Sequence, residues 1–197
     1  MDWDKINNLY LDDEQLKNCK LISSRDKLLD LLPKAGTCVE LGCEKGEFSQ
    51  KILDINRPNK LVLVDNNHDH ITNIISKFKD NARVEVKEGN SYDVMKGYQD
   101  EEFDWIFIDT DHTLETMVME LNVCNLKVKK NGYIGIHDYI FHDYIWGLTS
   151  GDNNWDVVTY GVIEAVNTFL KENTNYEVTH FALEPHMYNT IVLRRNK

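Results

Sequence analysis

The sequence is poor in basic residues and has no long apolar run. Against 33 acidic residues there are 22 basic ones, and the formal net charge of -11 repels both nucleic-acid phosphates and anionic lipid head groups. No apolar run approaches the length of a membrane span, and the first four residues, Met1 to Asp4, lack the basic start of a signal peptide. We therefore expect a cytoplasmic protein with neither a nucleic-acid nor a membrane partner.

Proline and cysteine are also scarce. The 197 residues include three prolines, and no Pro/Gly/Ser-rich linker divides them, so one domain is predicted over residues 1–197 with a helical extension at 1–33. The four cysteines form no CxxC pair. Cys38 and Cys43 flank a predicted strand whose ends are too far apart for a relaxed disulfide, so reduced thiols are expected.

Apolar runs alternate with helical patterns along most of the chain. The predicted strands are Thr37 to Leu41, Lys60 to Val64, Arg83 to Lys87, Phe103 to Ile108, Gly132 to Ile136, Tyr176 to Leu183 and Asn189 to Arg194. The predicted helices are Gly46 to Asp54, Asp69 to Lys79, Tyr92 to Lys96, Thr113 to Val128 and Asp156 to Glu172. This alternation predicts an α/β fold with helices on both faces of a mostly parallel sheet, which ends in an antiparallel C-terminal hairpin.

Polar groups follow three of the predicted strands. Gly42 and Gly46 frame the turn after the first strand, where glycine either admits a ligand to the backbone or serves only the geometry of the turn. Asp65 ends the second strand, and an acid about twenty residues beyond a glycine turn can accept both hydrogens of a ribose diol. Asn90 and Ser91 follow the third strand with small polar groups suited to an adenine edge.

Two nucleoside cofactors fit such a row of polar groups. A nicotinamide dinucleotide requires GxGxxG, but the turn here lacks the middle glycine. The turn also places Glu44 and Glu47 where a pyrophosphate would lie. S-adenosylmethionine (SAM), whose amino and sulfonium groups are cationic, tolerates these acids. SAM is therefore the predicted cofactor.

Five segments carry a resemblance to a known family. The strings VELGCEKGEFS, LVLVDNN, EGNS, FDWIFIDTDHTLETMVMELNVCNLKVKKNGYIGIHDY and YGVIEAVNTFL resemble class I SAM-dependent methyltransferases, and particularly methyltransferase family 24. The resemblance implies a Rossmann-like, seven-stranded sheet whose last strand is antiparallel. It also implies six cofactor contacts, and we add Asn66 and Asp109, which follow the second and fourth predicted strands. The predicted cofactor-binding residues are Glu40, Gly42, Gly46, Asp65, Asn66, Asn90, Ser91 and Asp109.

A second polar group follows the fourth and fifth strands, which lie about 4.8 Å apart if adjacent. Asp109, Asp111, His137 and Asp138 would meet there, and crowded carboxylates need a cation or a shared proton. The resemblance implies that Asp109, His137 and Asp138 hold a divalent ion (Mg²⁺, Mn²⁺ or Zn²⁺). Because imidazole suits Mg²⁺ poorly, three alternatives stay open: a different ion, His137 as a base, or no metal.

His112 and His137 are the predicted catalytic bases, since a histidine can accept a proton at neutral pH. His112 stands just ahead of a helix, so it can instead orient Asp111 or contribute to the start of the helix. His68 and His70, at the start of another helix, are expected to face solvent. An aromatic and polar loop after the fifth strand is predicted to cover the substrate. Its predicted lid residues are His142, Asp143, Tyr144, Trp146, Trp155 and Tyr160.

The predicted function is a SAM-dependent methyltransferase that acts on the oxygen of a small hydroxylated molecule, such as a sugar or a secondary metabolite, with or without a divalent metal. Two alternatives from other classes stay open at this point. One is an NAD-linked oxidoreductase on a Rossmann-like fold, and the other is a non-catalytic SAM-binding module. The leucine-rich N-terminal helices would either cover the sheet or pair with a second subunit in a homodimer.

Overall fold

The computed structural model describes residues 10–139, 143–146, 156–159, 161–185 and 188–196. Its strands are β1 (Lys20–Ile22), β2 (Thr37–Leu41), β3 (Lys60–Asp65), β4 (Val84–Glu88), β5 (Phe103–Ile108), β6 (Val128–Ile136), β7 (Asp143–Trp146), β8 (Asp156–Thr159), β9 (Tyr176–Ala182) and β10 (Thr190–Arg195). Its helices are α1 (Asp13–Leu16), α2 (Arg25–Leu31), α3 (Glu47–Ile55), α4 (His68–Phe78), α5 (Ser91–Lys96), α6 (Leu114–Lys127) and α7 (Val162–Glu172).

Eight strands form one sheet in the order β1-β9-β10-β6-β5-β2-β3-β4. Strand β10 pairs antiparallel with both β6 and β9, and the other pairings in this sheet are parallel. The predicted α/β fold, with a mostly parallel sheet and an antiparallel C-terminal hairpin, is confirmed. The strand order reverses between β2 and β5, and ligands bind at such a switch point in open α/β sheets.

Two local differences from the sequence-based prediction concern short strands. The eighth strand, β1, lies in the extension that was predicted to be helical, and it pairs parallel with β9 at the sheet edge. Three residues are too few to show an alternating pattern. The predicted helix at Asp156 begins instead at Val162, because residues 156–159 pair with β7 in a separate two-stranded sheet. Their sequence DVVT is rich in β-branched residues, which favour strands.

Buried apolar side chains cover both faces of the large sheet. On one face, residues of β2, β5 and β6 pack with those of α5, α6 and α7. On the other face, residues of β2, β3 and β5 pack with those of α2, α3 and α4. A strand covered on both faces needs apolar residues throughout, which explains the LVLV and WIFI runs of β3 and β5.

The N-terminal segment packs against the sheet through α2. Ser24 caps this helix by accepting a hydrogen bond from the Lys27 backbone, and Leu28 and Leu29 are fully buried in the core. The extension therefore covers the sheet, and its pairing with a second subunit stays a prediction. The four cysteines are free thiols, three of them buried. Within the described residues, no helix combines the length and apolarity that crossing a bilayer requires.

Candidate functional site

A cleft of about 610 Å³ runs along the carboxyl ends of β2, β3, β4 and β5. This volume lies within the usual range for small-molecule sites, about 300 to 1,000 Å³. Six of the predicted cofactor-binding residues line it: Gly42, Asp65, Asn66, Asn90, Ser91 and Asp109. Glu40 and Gly46 do not line it.

The turn after β2 is shaped by its two glycines. Gly42 has a φ of +81°, and a Cβ built on it would lie 1.9 Å from the Asp109 carbonyl oxygen. Gly46, the N-cap of α3, has a φ of +68°, and its Cβ would meet the Phe78 ring at 3.0 Å. Gly42 is therefore required by geometry, since it lets the ends of β2 and β5 meet at the wall of the cleft, whereas Gly46 is favoured by its positive φ.

Asp65 joins the end of β3 to this turn. Its Oδ2 accepts hydrogen bonds from the backbone N–H groups of Cys43, at 3.2 Å, and Glu44, at 2.9 Å. Its Oδ1 accepts a bond from the Asn67 backbone at 2.9 Å and lies 3.3 Å from Nδ1 of His70. The carboxylate faces the cleft as predicted, and it also fixes the backbone of the turn.

The prediction that His68 and His70 both face solvent is wrong for His70. The His70 side chain is 31% exposed, and it lines the cleft beside Asp65. Asn67 caps α4 by accepting bonds from the backbones of Asp69 and His70, and Asn67 and His70 both line the cleft. His68 is exposed and contacts Glu88 at 3.2 Å.

The far end of the cleft contains Asn90 and Ser91, with a buried acid behind them. Ser91 and Thr110, both in the cleft wall, donate hydrogen bonds to the two carboxylate oxygens of Glu120. Glu120 has no solvent exposure, and burial raises its pKa to about 7. The sequence offered one signal for Glu120: it is an acid on the apolar side of α6, where an unpaired charge is costly.

Glu40 lies beneath the cleft rather than in its wall. It is 2% exposed and accepts a hydrogen bond from the Ser49 hydroxyl on α3. Burial raises the pKa of Glu40 to about 8, so the side chain is largely protonated at neutral pH.

Asp109 follows β5 and is paired with a cation that the sequence did not predict. Arg25, from the first turn of α2, donates a hydrogen bond to Oδ2 of Asp109 at 3.0 Å. Burial acts to raise the pKa of Asp109, but the hydrogen bond from His112 and the nearby positive charges outweigh this effect and lower the pKa overall. Asp109 is therefore ionised. Of the four residues in this polar group, Asp109 and Asp111 line the cleft.

His112 lies behind Asp109, between two carboxylates. Its Nε2 is 3.5 Å from Oδ1 of Asp109, and its Nδ1 is 3.5 Å from Oδ2 of Asp138. Burial acts to lower the pKa of His112, but these two acids raise it overall. Asp111 accepts hydrogen bonds from the Thr113 backbone and from the Thr116 hydroxyl, and the role of His112 in orienting Asp111 stays a prediction.

Two residues at this end of the site, His112 and Asp138, have an unusual backbone conformation. His112 has a φ of +61° and Asp138 a φ of +54°, which are costly values for residues with a side chain. Asp138 is 7% exposed, and burial raises its pKa to about 6.

His137 follows β6 and precedes Asp138. Its Nδ1 lies 3.0 Å from the Thr190 hydroxyl, and its Nε2 lies 3.3 Å from Oδ1 of Asp138. Burial lowers the pKa of His137 to about 4, so the ring is neutral at neutral pH. A base of such low pKa accepts protons poorly, which makes His112 the better candidate.

The residues implied as metal ligands do not have the arrangement of a metal site. Asp109, His137 and Asp138 lie close together, yet among the described side chains no group of three or more His, Cys, Asp or Glu is placed to hold an ion. Oδ2 of Asp109 faces Arg25, and His137 contacts Thr190. The cation that crowded carboxylates require is supplied here by the arginine.

The predicted lid falls mostly outside the described part of the chain. His142, Trp155 and Tyr160 are not among the described residues, and neither are the side chains of Asp143, Tyr144 and Trp146. The lid therefore stays a prediction. Its backbone includes the paired strands β7 and β8.

Solved structures with the same fold are numerous. A SAM-dependent methyltransferase from Aquifex aeolicus aligns with a TM-score of 0.64 and 17% identity, over 99% of each chain. A Clostridium thermocellum protein described as a putative rRNA methylase gives 0.66 and 13%, over 90% of this chain and 98% of that one. Aeropyrum pernix fibrillarin, solved with natively bound SAM, gives 0.61 and 12%, over 86% and 73%. These TM-scores show a shared fold, and at identities this low they show the fold alone.

The family is established by sequence. No curated protein sequence matches the chain. The family model for methyltransferase family 24, described as a methyltransferase domain, matches residues 39–139, which include every predicted cofactor-binding, catalytic and metal-binding residue. The chain therefore belongs to methyltransferase family 24, the family of SAM-dependent methyltransferases that its motifs predicted.

Proposed function

We propose that the cleft binds SAM and that the enzyme methylates a hydroxyl oxygen of a small molecule. The observation that carries this proposal is the row of polar groups that line one cleft at the ends of β2 to β5, beside the glycine turn that follows β2. The adenosyl group would extend from Gly42 past Asp65 to Asn90. The methionine end would then lie toward Asp109, next to the buried polar group.

Asp65 is the proposed ribose ligand. Three of its hydrogen bonds come from backbone N–H groups, and the fourth contact is with the side-chain nitrogen of His70. A carboxylate accepts about four hydrogen bonds. A ribose hydroxyl would therefore replace His70 at Oδ1, while the backbone bonds keep the turn in place.

Ser91 and Thr110 are proposed to recognise the adenine edge. Both hydroxyls donate their hydrogen to Glu120, which leaves their lone pairs to accept hydrogen bonds from a ligand. An exocyclic amino group, as in adenine, matches such acceptors, and Asn90 beside them can donate or accept.

SAM supplies an electrophilic methyl group on its sulfonium. We propose that His112 takes the proton from the acceptor hydroxyl by way of Asp109, because Asp109 lines the cleft and contacts His112. The carboxylates of Asp109 and Asp138 on either side stabilise the imidazolium that forms. Residues at the ends of β2 and β5 would hold the methyl group of SAM close to the acceptor hydroxyl. Such proximity supplies much of the rate of a displacement reaction.

The net charge of the protein favours one class of methyl acceptor. The net charge of -11 opposes a polyanion and favours a small uncharged hydroxylated molecule. RNA is a second candidate acceptor, and the observation in its favour is the fold shared with the protein described as a putative rRNA methylase.

The test is the conversion of SAM to S-adenosylhomocysteine with two sets of acceptors. One set contains hydroxylated small molecules, including sugars and phenols, and the other contains total RNA. We expect turnover with a member of the first set and a loss of turnover in His112→Ala. Turnover with RNA alone would replace the small-molecule proposal, and failure of the protein to bind SAM would refute the function as a whole.

A further inference from the structure

Arg25 reaches the polar group from a part of the chain remote in sequence. Its guanidinium donates to Oδ2 of Asp109 at 3.0 Å, and its central carbon lies 5.0 Å from the centre of the Phe48 ring. The Arg25 side chain is 31% exposed and that of Asp109 is 25% exposed, so the pair lies at the rim of the site rather than in the core.

The backbone around Arg25 is fixed by several contacts. The Arg25 N–H donates to the Glu184 carboxylate after β9. Asp26, the next residue, pairs with Lys51 of α3 at 2.7 Å, and Leu28 is fully buried. Because this helix is anchored, pairing orders only the side-chain torsions of Arg25, and no backbone entropy is lost in addition.

The guanidinium of Arg25 supplies a positive charge at this position. The guanidinium donates a hydrogen bond to Oδ2 of Asp109. A divalent ion that approached Asp109 from the side of α2 would bind the same oxygen. A second cation at that position would be repelled by Arg25, and two unit charges a few ångströms apart interact strongly at a partly buried site.

We propose that Arg25 takes the place of a divalent metal ion in this enzyme, as the positioning residue that holds Asp109 toward His112. The inference rests on the proposed function for what Asp109 and His112 do, but its geometry stands on the Arg25 contacts alone. The guanidinium fixes Oδ2 of Asp109, which leaves Oδ1 directed at His112 at 3.5 Å. The enzyme then needs no divalent ion.

The experiment is a titration with Mn²⁺, followed by electron paramagnetic resonance of the free ion. Four proteins are compared: the wild type, Arg25→Gln, Arg25→Lys and Lys27→Gln. Lys27 lies on the same helix, so its replacement removes the same charge without touching Asp109. Circular dichroism melts of each protein establish that it is folded, and Arg25→Lys tests the position with its charge retained.

We expect no Mn²⁺ binding above background in the wild type, in Arg25→Lys or in Lys27→Gln. Arg25→Gln should bind Mn²⁺ at least about tenfold more tightly, and adding Asp109→Asn should abolish that gain. The proposal is overturned by wild-type Mn²⁺ binding that Asp109→Asn removes, and equally by a folded Arg25→Gln that gains none. Neither readout uses SAM, so a failure of the proposed function is seen separately, as absent SAM binding with EDTA present.

Discussion

Replacing Glu40 by glutamine tests the energetics of the buried acid beneath the glycine turn. The unfolded chain ionises this group near pH 4.5, whereas the folded protein keeps it protonated until about pH 8. Its contribution to stability is therefore fully present below pH 4.5 and is lost as the pH rises through 8. Between pH 5 and pH 8 the loss amounts to about 3 to 4 kcal/mol, because each pH unit between the two pKa values changes the free energy of unfolding by about 1.4 kcal/mol.

Glutamine cannot ionise, yet it has the shape of glutamic acid and an oxygen that accepts the Ser49 hydroxyl. The free energy of unfolding of Glu40→Gln, minus that of the wild type, should therefore increase by about 3 to 4 kcal/mol from pH 5 to pH 8. Urea denaturation at several pH values measures this difference. Glu47→Gln is the matched control, because Glu47 is exposed on the same turn and has no burial cost to relieve. A Glu40→Gln difference that stays constant with pH would refute the reasoning.

Three further predictions concern single positions. Gly42→Ala should destabilise the fold by about 3 kcal/mol or more, measured by urea denaturation, because its Cβ meets the Asp109 carbonyl at a positive φ; a change below about 1 kcal/mol would contradict this. Glu120→Leu should cost about 2 to 4 kcal/mol in the same assay, since two hydroxyls lose their buried acceptor, while Glu120→Gln costs less. If His112 is the base, kcat should rise with pH through its raised pKa, and a flat profile would exclude it.

The sheet and several of the polar residues that line the cleft were largely predictable from sequence. Buried parallel strands require continuous apolar runs, so β2, β3 and β5 stand out as segments. The polar residues that follow these runs must lie at one edge of a parallel sheet. The sequence alone therefore places Gly42 and Asp65 in one cleft, where both are found.

The parts that were missed depend on distant or very local contacts. Arg25 and Asp109 are 84 residues apart, and no spacing rule relates a residue in an N-terminal helix to the end of β5. The cluster of carboxylates predicts a cation nearby, but no pattern in the sequence identifies Arg25 as its source. Strand β1, at three residues, is defined by its partner β9 rather than by its own pattern. His70 lies against Asp65 in the cleft wall, a contact that depends on the local geometry of the start of α4.

The most direct measurement is calorimetric titration of SAM into the wild type, Asp65→Asn and Asp69→Asn. Asp69 is an exposed acid four residues away and controls for the loss of one negative charge. The account predicts that the wild type and Asp69→Asn bind SAM alike, and that Asp65→Asn binds it at least about tenfold more weakly, a loss of about 1.4 kcal/mol or more. Equal SAM affinity in all three folded proteins would contradict the account.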